Sequence, residues 1–259
     1  MIMILVDLLK KRAIIQSLIL FMVCQLNAQK PESKSIPTSK HLMVYSDAVR
    51  SGDYTTAITA LSYYVAENPD KPNYKDSLAF LYYLSSNYHQ CIYWCNVLIK
   101  KELGNVRLLE IKAASLKLTG QLTEAVHEYE QLMKLEPIPV YAYNLMELQY
   151  ELKRYYECVQ TSSLIELLKF NEQMLVTYRT GDNTMMQTPI KSAMYNLLGL
   201  TYMDIAKLDE GRIAFEKALQ LDTGSVLVKV NLKKLEALRA AKEEEAKQEN
   251  QPKGELKKD

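Results

Sequence analysis

Apolar residues recur every three to four positions along most of the chain, which is the spacing of one helix face and not the alternation of a strand. Two such stripes flank residues 120–122, namely Leu109, Ala113 and Leu116 before them and Ala125, Tyr129 and Leu132 after them. The pattern predicts a helix, a tight turn and a second helix as the basic unit. Repetition of this unit predicts an all-α fold.

A three-residue turn-like token, followed three positions later by a small residue, recurs five times. The tokens begin at Gly52, Ser86, Gly120, Lys153 and Ala206, and the small residues are Ala57, Cys91, Ala125, Cys158 and Gly211. Successive tokens are 34, 34, 33 and 53 residues apart, so the last interval is one period with 19 inserted residues. We expect the small residue to let the two helices of each repeat approach closely.

The best-preserved repeat is the fifth, which carries Tyr195, Leu198, Gly199, Tyr202, Phe215 and Ala218. These residues resemble the tetratricopeptide repeat, whose pattern is W-x2-L-G-x2-Y, then A-x3-F, then P. The resemblance implies a right-handed solenoid of helical hairpins over 38–239, with about five repeats and a C-terminal capping helix. The repeats are predicted at about 38–71, 72–105, 106–139, 140–177 and 192–224.

Two segments depart from the period. In the inserted residues we predict that the second helix of the fourth repeat continues to about Thr177, and that 178–189 form an exposed loop. A capping helix is predicted over 225–239, because the last apolar face of a solenoid must be shielded from water. Its apolar residues are Val226, Val230, Leu235 and Leu238. Residues 240–259 are charged and nearly free of apolar side chains, which predicts a solvated tail.

Residues 1–28 have the three parts of a secretory signal peptide. The parts are a basic cluster at 10–12, an apolar run at 13–24 and a small residue at Ala28. The run is short for a hydrocarbon layer about 30 Å thick. We therefore expect cleavage, export to a bacterial periplasm and no membrane span in the mature chain. The alternative is an uncleaved N-terminal anchor, and residues 29–37 predict a flexible linker.

Charge and reactive residues narrow the possible functions. Lys and Arg number 32 and Asp and Glu 31, which gives a formal net charge of +1. The chain therefore carries no large positive charge that would attract nucleic acid. We find no zinc-type spacing, phosphate loop or nucleophile elbow, and predict no catalytic residue, metal or cofactor. Cys91 and Cys95 lie four residues apart on one predicted helix face. A metal or redox pair is possible there, but packing in the core is favoured.

The first helix of each pair lines the concave side of a stacked solenoid. The predicted groove residues, repeat by repeat, are Asp76, Phe80 and Tyr83, then Arg107, Glu110 and Lys117, then Tyr141 and Asn144, then Asn196 and Met203. In peptide-binding members of the family an Asn on this face bonds the ligand backbone, so the resemblance implies that role for Asn144 and Asn196.

These observations predict a non-enzymatic, extracytoplasmic scaffold that binds a protein or peptide segment in its concave groove. Phe80, Tyr83 and Tyr141 are the expected aromatic anchors. The alternative is a structural subunit of a cell-envelope complex, held through its convex face or through the 178–189 segment.

Overall fold

The structure, a computed structural model, describes residues 39–70, 73–100, 104–171, 173–179 and 184–249. The predicted signal peptide and linker, and residues 250–259 of the predicted charged tail, lie outside the described residues. The chain divides into two compact units, Met1–Leu152 and Lys153–Asp259. We call them the N-terminal unit and the C-terminal unit.

Helices are the only regular secondary structure in the described part of the N-terminal unit. Its helices are α1 (Lys40–Ser51), α2 (Tyr54–Glu67), α3 (Asn73–Leu84), α4 (Tyr88–Ile99), α5 (Val106–Leu118), α6 (Leu122–Leu135) and α7 (Pro139–Glu151). Consecutive helices pack as hairpins, α1 with α2, α3 with α4 and α5 with α6. The all-α class of helical hairpins predicted from the sequence is confirmed.

The C-terminal unit combines helices with a small sheet. Its elements are α8 (Tyr155–Ser162), β1 (Leu175–Arg179), β2 (Met185–Pro189), α9 (Ile190–Asp204), α10 (Leu208–Leu221) and α11 (Val226–Glu249). The two strands pair antiparallel, with Leu175 opposite Pro189 and Arg179 opposite Met185. Helices α9 and α10 form a hairpin on which α11 packs.

The five turn-like tokens are left-handed turns that end the first helix of each repeat. Their φ angles are +75° at Gly52, +61° at Ser86, +80° at Gly120, +58° at Lys153 and +62° at Ala206. The amide that follows then bonds back to the helix, as Asn87 N–H does to the carbonyl of Tyr82 at 2.8 Å. This bond satisfies a carbonyl that the helix end would otherwise leave without a partner. The turn therefore joins the two helices of each repeat, and its recurrence marks the repeat period that the sequence shows.

The small residue after each token is buried at the crossing of two helices. Ala57, Cys91, Ala125 and Cys158 are fully buried. One close approach involves Gly199 of α9, where an added Cβ would lie 2.5 Å from the ring of Phe215 on α10. Phe215 is itself fully buried. A larger residue at these crossings would push the two helices apart.

The predicted continuation of a helix to about Thr177 is wrong, because α8 ends at Ser162. The hydroxyl of Ser162 donates to the carbonyl of Val159 at 2.7 Å, and that of Ser163 to Gln160 at 2.7 Å. Backbone bonds tighten to three-residue spacing at the same point, as in Ile165 N–H to Ser162. Serine side chains that bond to nearby carbonyls compete with helix continuation.

The exposed loop predicted at 178–189 is also corrected, since β1 and β2 form a hairpin there. Thr188 is buried, and its hydroxyl donates to the carboxylate of Asp222 at 2.6 Å, which fastens β2 to the end of α10. Leu175 and Met185 lie on the exposed face of the hairpin.

The capping helix is present but longer than predicted, since α11 runs to Glu249. Its buried stripe is Val228, Asn231 and Leu235, whereas Val226, Val230 and Leu238 are exposed. Of the predicted apolar stripe, only Leu235 is buried. A polar residue, Asn231, therefore occupies one of the three buried positions of α11.

Candidate functional site

The first helices of three successive repeats, α3, α5 and α7, lie in the N-terminal unit and exchange side-chain contacts. At one end the guanidinium of Arg107 stands 4.9 Å from the centre of the Phe80 ring. Arg107 is exposed and Phe80 is half-buried. A guanidinium over a ring face is attractive because the ring face is electron-rich.

The middle of this row is a hydrogen bond between α5 and α7. The hydroxyl of Tyr141 donates to Glu110 Oε1. Burial raises the pKa of the Glu110 carboxyl, and the charge of Glu136 acts in the same direction. The bond from Tyr141 and the charge of Arg107 act in the opposite direction. Glu110 is therefore a partly desolvated carboxylate at the surface of the unit.

The other end of the row is built around Lys117. Its ammonium lies 2.8 Å from Asn144 Oδ1 and 2.6 Å from Glu147 Oε2. Glu147 Oε1 accepts a bond from the Tyr143 hydroxyl at 2.8 Å. Asn144 Nδ2 donates to the carbonyl of Val140 at 2.8 Å. Both polar ends of Asn144 are therefore already engaged within the unit.

Six of the predicted groove residues are thus brought together, as three contacts that join neighbouring helices. We call this surface the first-helix face and define it by Phe80, Arg107, Glu110, Lys117, Tyr141, Asn144 and Glu147. Glu147 was not among the predicted groove residues. Its position three residues after Asn144 on a helix would have placed it on the same face.

Burial alters the predicted role of the tyrosine anchors. Tyr83 is 5% exposed and Tyr141 is 3% exposed, so neither ring is offered to a partner without rearrangement. The Tyr83 hydroxyl has no hydrogen-bond partner among the described residues, and burial raises its pKa. Phe80 remains an accessible aromatic group of this face, and Asp76 is half-buried on α3.

The two predicted groove residues of the C-terminal unit are placed differently. Asn196 is buried, and its Oδ1 accepts a bond of 2.9 Å from Asn231 Nδ2 of α11. The side-chain amide of Asn196, which was predicted to bond to a ligand backbone, is therefore hydrogen-bonded to the capping helix. This pair also explains why Asn231 stands in the buried stripe of α11. Met203 is half-buried on α9.

Reactive and metal-binding groups are sparse in the part of the chain that the structure describes. Within it, no group of three His, Cys, Asp or Glu side chains could hold a metal ion. Cys91 and Cys95 are fully buried free thiols whose sulfurs lie 3.9 Å apart. Burial raises the pKa of Cys158 to about 11, so this thiol is protonated and unreactive at neutral pH.

One buried ion pair was not foreseen. Lys112 of α5 lies 2.7 Å from Glu128 of α6, and both side chains are largely inaccessible to solvent. The pair lies between two packed helices. Opposite charges at two packing positions of one repeat are the signal that could have revealed it.

None of the described helices is both long enough and apolar enough to cross a bilayer.

Comparison with known proteins agrees with this architecture. Residues 192–224 match the family model of the tetratricopeptide repeat. A tetratricopeptide repeat protein from Parabacteroides merdae is 14% identical in sequence, with 78% of this chain and 73% of that chain covered and a TM-score of 0.58. A MamA protein is 14% identical, with 71% and 90% covered and a TM-score of 0.56. No curated protein is similar in sequence.

At this level of identity the solved structures show the fold alone. Such folds generally serve as scaffolds for protein interactions and generally are not enzymes. The chain has the fold of tetratricopeptide repeat proteins, and residues 192–224 carry the repeat in their sequence.

Proposed function

We propose that this protein is a non-enzymatic, extracytoplasmic scaffold that binds a protein or peptide segment on the first-helix face of its N-terminal unit. The observation that carries the proposal is the row of contacts across α3, α5 and α7, from Phe80 and Arg107 to Lys117 and Glu147. Such a row presents charged and aromatic groups in fixed positions, which reduces the entropy lost when a partner binds.

The side chains of the first-helix face that remain accessible determine which chemical groups a partner must present. Arg107 presents an exposed guanidinium, and Glu110 and Glu147 present half-exposed carboxylates. Each hydrogen bond made there would contribute about 0.5–1.5 kcal/mol, so several are needed for a useful affinity. Apolar contact with Phe80 supplements them. The partner is therefore a segment with both polar and apolar side chains.

The test is recovery of partners by the full chain fixed to beads, from extracts of the organism that expresses it. Arg107→Glu removes the cation and the ring contact, and we expect recovery of the bound protein to fall at least about fivefold. Lys134→Glu and Lys229→Glu are matched charge reversals at exposed lysines outside the face. Equal recovery by all three variants and the wild type would contradict the proposal, provided that their melting temperatures agree.

Export is the second part of the proposal and is supported by residues 1–28 of the sequence. N-terminal sequencing of the protein from its own cell should begin at Gln29. Fractionation should find it outside the cytoplasm. A chain that still begins with Met1 and remains soluble in the cytoplasm would overturn this part without affecting the first.

A second candidate is a structural subunit of an envelope complex, held through the β1–β2 hairpin. Its support is that two apolar side chains of that hairpin, Leu175 and Met185, are exposed. The double substitution Leu175→Ser and Met185→Ser leaves the first-helix face intact. Loss of partner recovery in this variant, with Arg107→Glu unaffected, would favour this alternative.

A further inference from the structure

The β1–β2 hairpin is a sheet of two strands, so each strand has one edge that no other described strand pairs with. Ile190 N–H donates to the carbonyl of Met174 at 2.8 Å, which makes these residues a hydrogen-bonded pair of the antiparallel ladder. Such pairs alternate along the ladder with pairs that exchange no backbone bonds. Leu175 and Pro189, which lie opposite each other and come next, therefore belong to the second kind. The missing N–H of proline agrees with this assignment.

The alternation leaves backbone groups of β1 directed away from β2. Thr177 lies opposite Gln187. Arg179 lies opposite Met185, and both pairs repeat the arrangement of Leu175 at a spacing of two residues. The N–H and carbonyl groups of Thr177 and Arg179 therefore point to the outer edge of β1. The Leu175 carbonyl joins them, whereas the Leu175 N–H bonds within a local turn. Within the described part of the chain, no group accepts from the N–H of Thr177.

The two outer edges differ in their ability to pair with another strand. The edge of β2 carries Pro189, which has no N–H to donate, and proline on an edge prevents further pairing. The edge of β1 has no proline, and Thr177 at its centre is exposed. A row of unpaired N–H and carbonyl groups is a template for pairing with another chain. The hairpin is therefore closed to strand addition at β2 and open to it at β1.

We propose that the strand added to this edge is β1 of a second copy of the chain, so that two hairpins form one antiparallel sheet about a twofold axis. The axis passes beside Thr177, because this register alone pairs all five residues of β1 with their copies. Thr177 then exchanges two backbone bonds with Thr177 of the copy, and Arg179 N–H donates to the carbonyl of Leu175. The edge lies apart from the first-helix face, so this inference does not depend on the proposed function.

The side chains of β1 suit pairing with themselves. On the more buried face of the sheet, the twofold register places Val176 opposite Tyr178 of the copy. Both are half-buried in the single chain, and a β-branched residue opposite an aromatic one is a favourable cross-strand pair. On the other face, the exposed Leu175 lies opposite Arg179, whose aliphatic stem covers apolar surface while its charge stays in water.

The charges of β1 also permit this pairing. Arg179 is the one charged residue of the strand, and it stands at one end. An antiparallel copy places the two Arg179 side chains at opposite ends of the paired strands, so no like charges face each other. The same patch meets itself across the axis, which is the arrangement of most symmetric dimers.

Sedimentation equilibrium of the purified protein tests the proposal. Stable interfaces use about 20–30 residues a side, and this one rests on a five-residue strand, so we expect a reversible dimer that forms as the protein concentration rises. Thr177→Pro removes the central N–H and should weaken dimerisation at least about tenfold. The change leaves the ladder of the hairpin intact, because the N–H of Thr177 takes no part in it.

Gln187→Pro is the matched control. Gln187 lies directly opposite Thr177 and is also exposed, but its N–H points to the outer edge of β2. We expect this variant to dimerise as the wild type does, with melting temperatures showing that both variants are folded. Equal weakening by the two proline substitutions would overturn the proposal.

A disulfide tests the register without proline. Residues that exchange bonds across antiparallel strands have Cα atoms about 5.5 Å apart, within the range of about 4.4–6.8 Å that a disulfide spans. Thr177→Cys should therefore form a covalent dimer with oxidised glutathione at least about tenfold faster than Gln187→Cys. The wild type gives the background, since Cys91, Cys95 and Cys158 are buried. Equal rates for the two variants would overturn the register.

Other occupants of the edge give different results. A protein that stays monomeric at every concentration overturns the proposal. If Thr177→Pro then loses a protein that the wild type recovers from extracts, the edge binds a strand of that protein instead. Dimerisation that Arg107→Glu abolishes and Thr177→Pro does not would assign the contact to the first-helix face, and this result also overturns the proposal.

Discussion

At the scale of single residues, two glycines mark close contacts between helices of the C-terminal unit. An added Cβ at Gly199 would lie 2.5 to 2.9 Å from three ring atoms of Phe215. One at Gly211 would lie 2.9 Å from Leu235 of α11 and 3.2 Å from the carbonyl oxygen of Gly199. Both contacts are shorter than van der Waals separation, so the helices are held at a distance that only glycine permits.

The change Gly199→Ala should therefore destabilise the fold. Because Phe215 is fully buried, its ring has no room to move aside. We expect a loss of about 1–3 kcal/mol in the free energy of unfolding, measured by urea titration with circular dichroism. Gly224→Ala is the control, since the nearest atom to its added Cβ is 3.5 Å away. Equal effects of the two changes would contradict the role given to this crossing.

A second residue-scale prediction concerns Glu110 and pH. Burial raises the pKa of Glu110 above its ordinary 4.5, so the folded chain holds this proton more tightly than the unfolded chain. The carboxylate therefore costs stability at neutral pH, and the cost disappears as the pH falls through that raised pKa toward 4.5. Glu110→Gln keeps an acceptor for Tyr141. We expect it to be more stable than the wild type at pH 7, with the difference closing near pH 4.

The measurement is urea unfolding of both proteins at the two pH values. Glu124→Gln, at an exposed position of α6, is the matched control. A difference between Glu110→Gln and the wild type that persists unchanged at pH 4 would show that the carboxylate charge is not responsible.

At the scale of elements, left-handed turns set the spacing of the helices, and not all of them use glycine. Ser86 and Ala206 have φ angles of +61° and +62°, a conformation that costs a residue with a Cβ about 1–2 kcal/mol. Glycine carries an entropic cost of its own of about 0.5–1 kcal/mol. The balance still favours glycine at both turns.

Ser86→Gly and Ala206→Gly should each raise the free energy of unfolding by about 0.5–1 kcal/mol. Thr119→Gly is the control, because Thr119 ends α5 with a φ of −91° and gains nothing from glycine. Thermal unfolding of the three variants checks this. A loss of stability in Ser86→Gly and Ala206→Gly would mean that their side chains matter more than their backbone strain.

The same scale shows why some elements could be predicted from the sequence and others could not. Helical hairpins with a turn at Gly52 or Gly120 could be predicted from the sequence, because the turn residue and the helical periodicity indicate the same boundary there. The end of α8 did not, since Leu164, Leu167 and Leu168 keep a helical spacing after the helix has stopped. Hydroxyl bonds at Ser162 and Ser163 override that periodicity, and they depend on local geometry that spacing does not encode.

The candidate site divides in the same way. Phe80, Arg107, Glu110, Lys117 and Asn144 could be placed on one face because position within a repeat determines orientation. Their pairing could not be predicted, since it depends on the offset between neighbouring helices. Asn196 shows the limit: it stands ten residues before the left-handed Ala206, whereas Asn144 stands nine before the left-handed Lys153. The two residues therefore do not hold the same position in their repeats, and α11 covers Asn196.

At the scale of the whole molecule, the chain consists of two compact units, each with its own buried residues. In repeat proteins the stability is approximately a sum of repeat terms and nearest-neighbour terms, so damage to one repeat need not unfold a distant one. Leu132 of α6 and Phe215 of α10 are fully buried and report on the two units separately.

Phe215→Ala should cost about 3–5 kcal/mol and act within its own unit. We expect amide hydrogen exchange in α9, α10 and α11 to accelerate at least about a hundredfold, while α3 to α6 change little. Leu132→Ala should give the reciprocal pattern, with faster exchange in α5 and α6 and little change in α10. Mass spectrometry of exchanged fragments distinguishes the outcomes. Uniform acceleration through both units in either variant would mean that the chain unfolds as a single cooperative body, because local loss of packing would then be transmitted to every repeat.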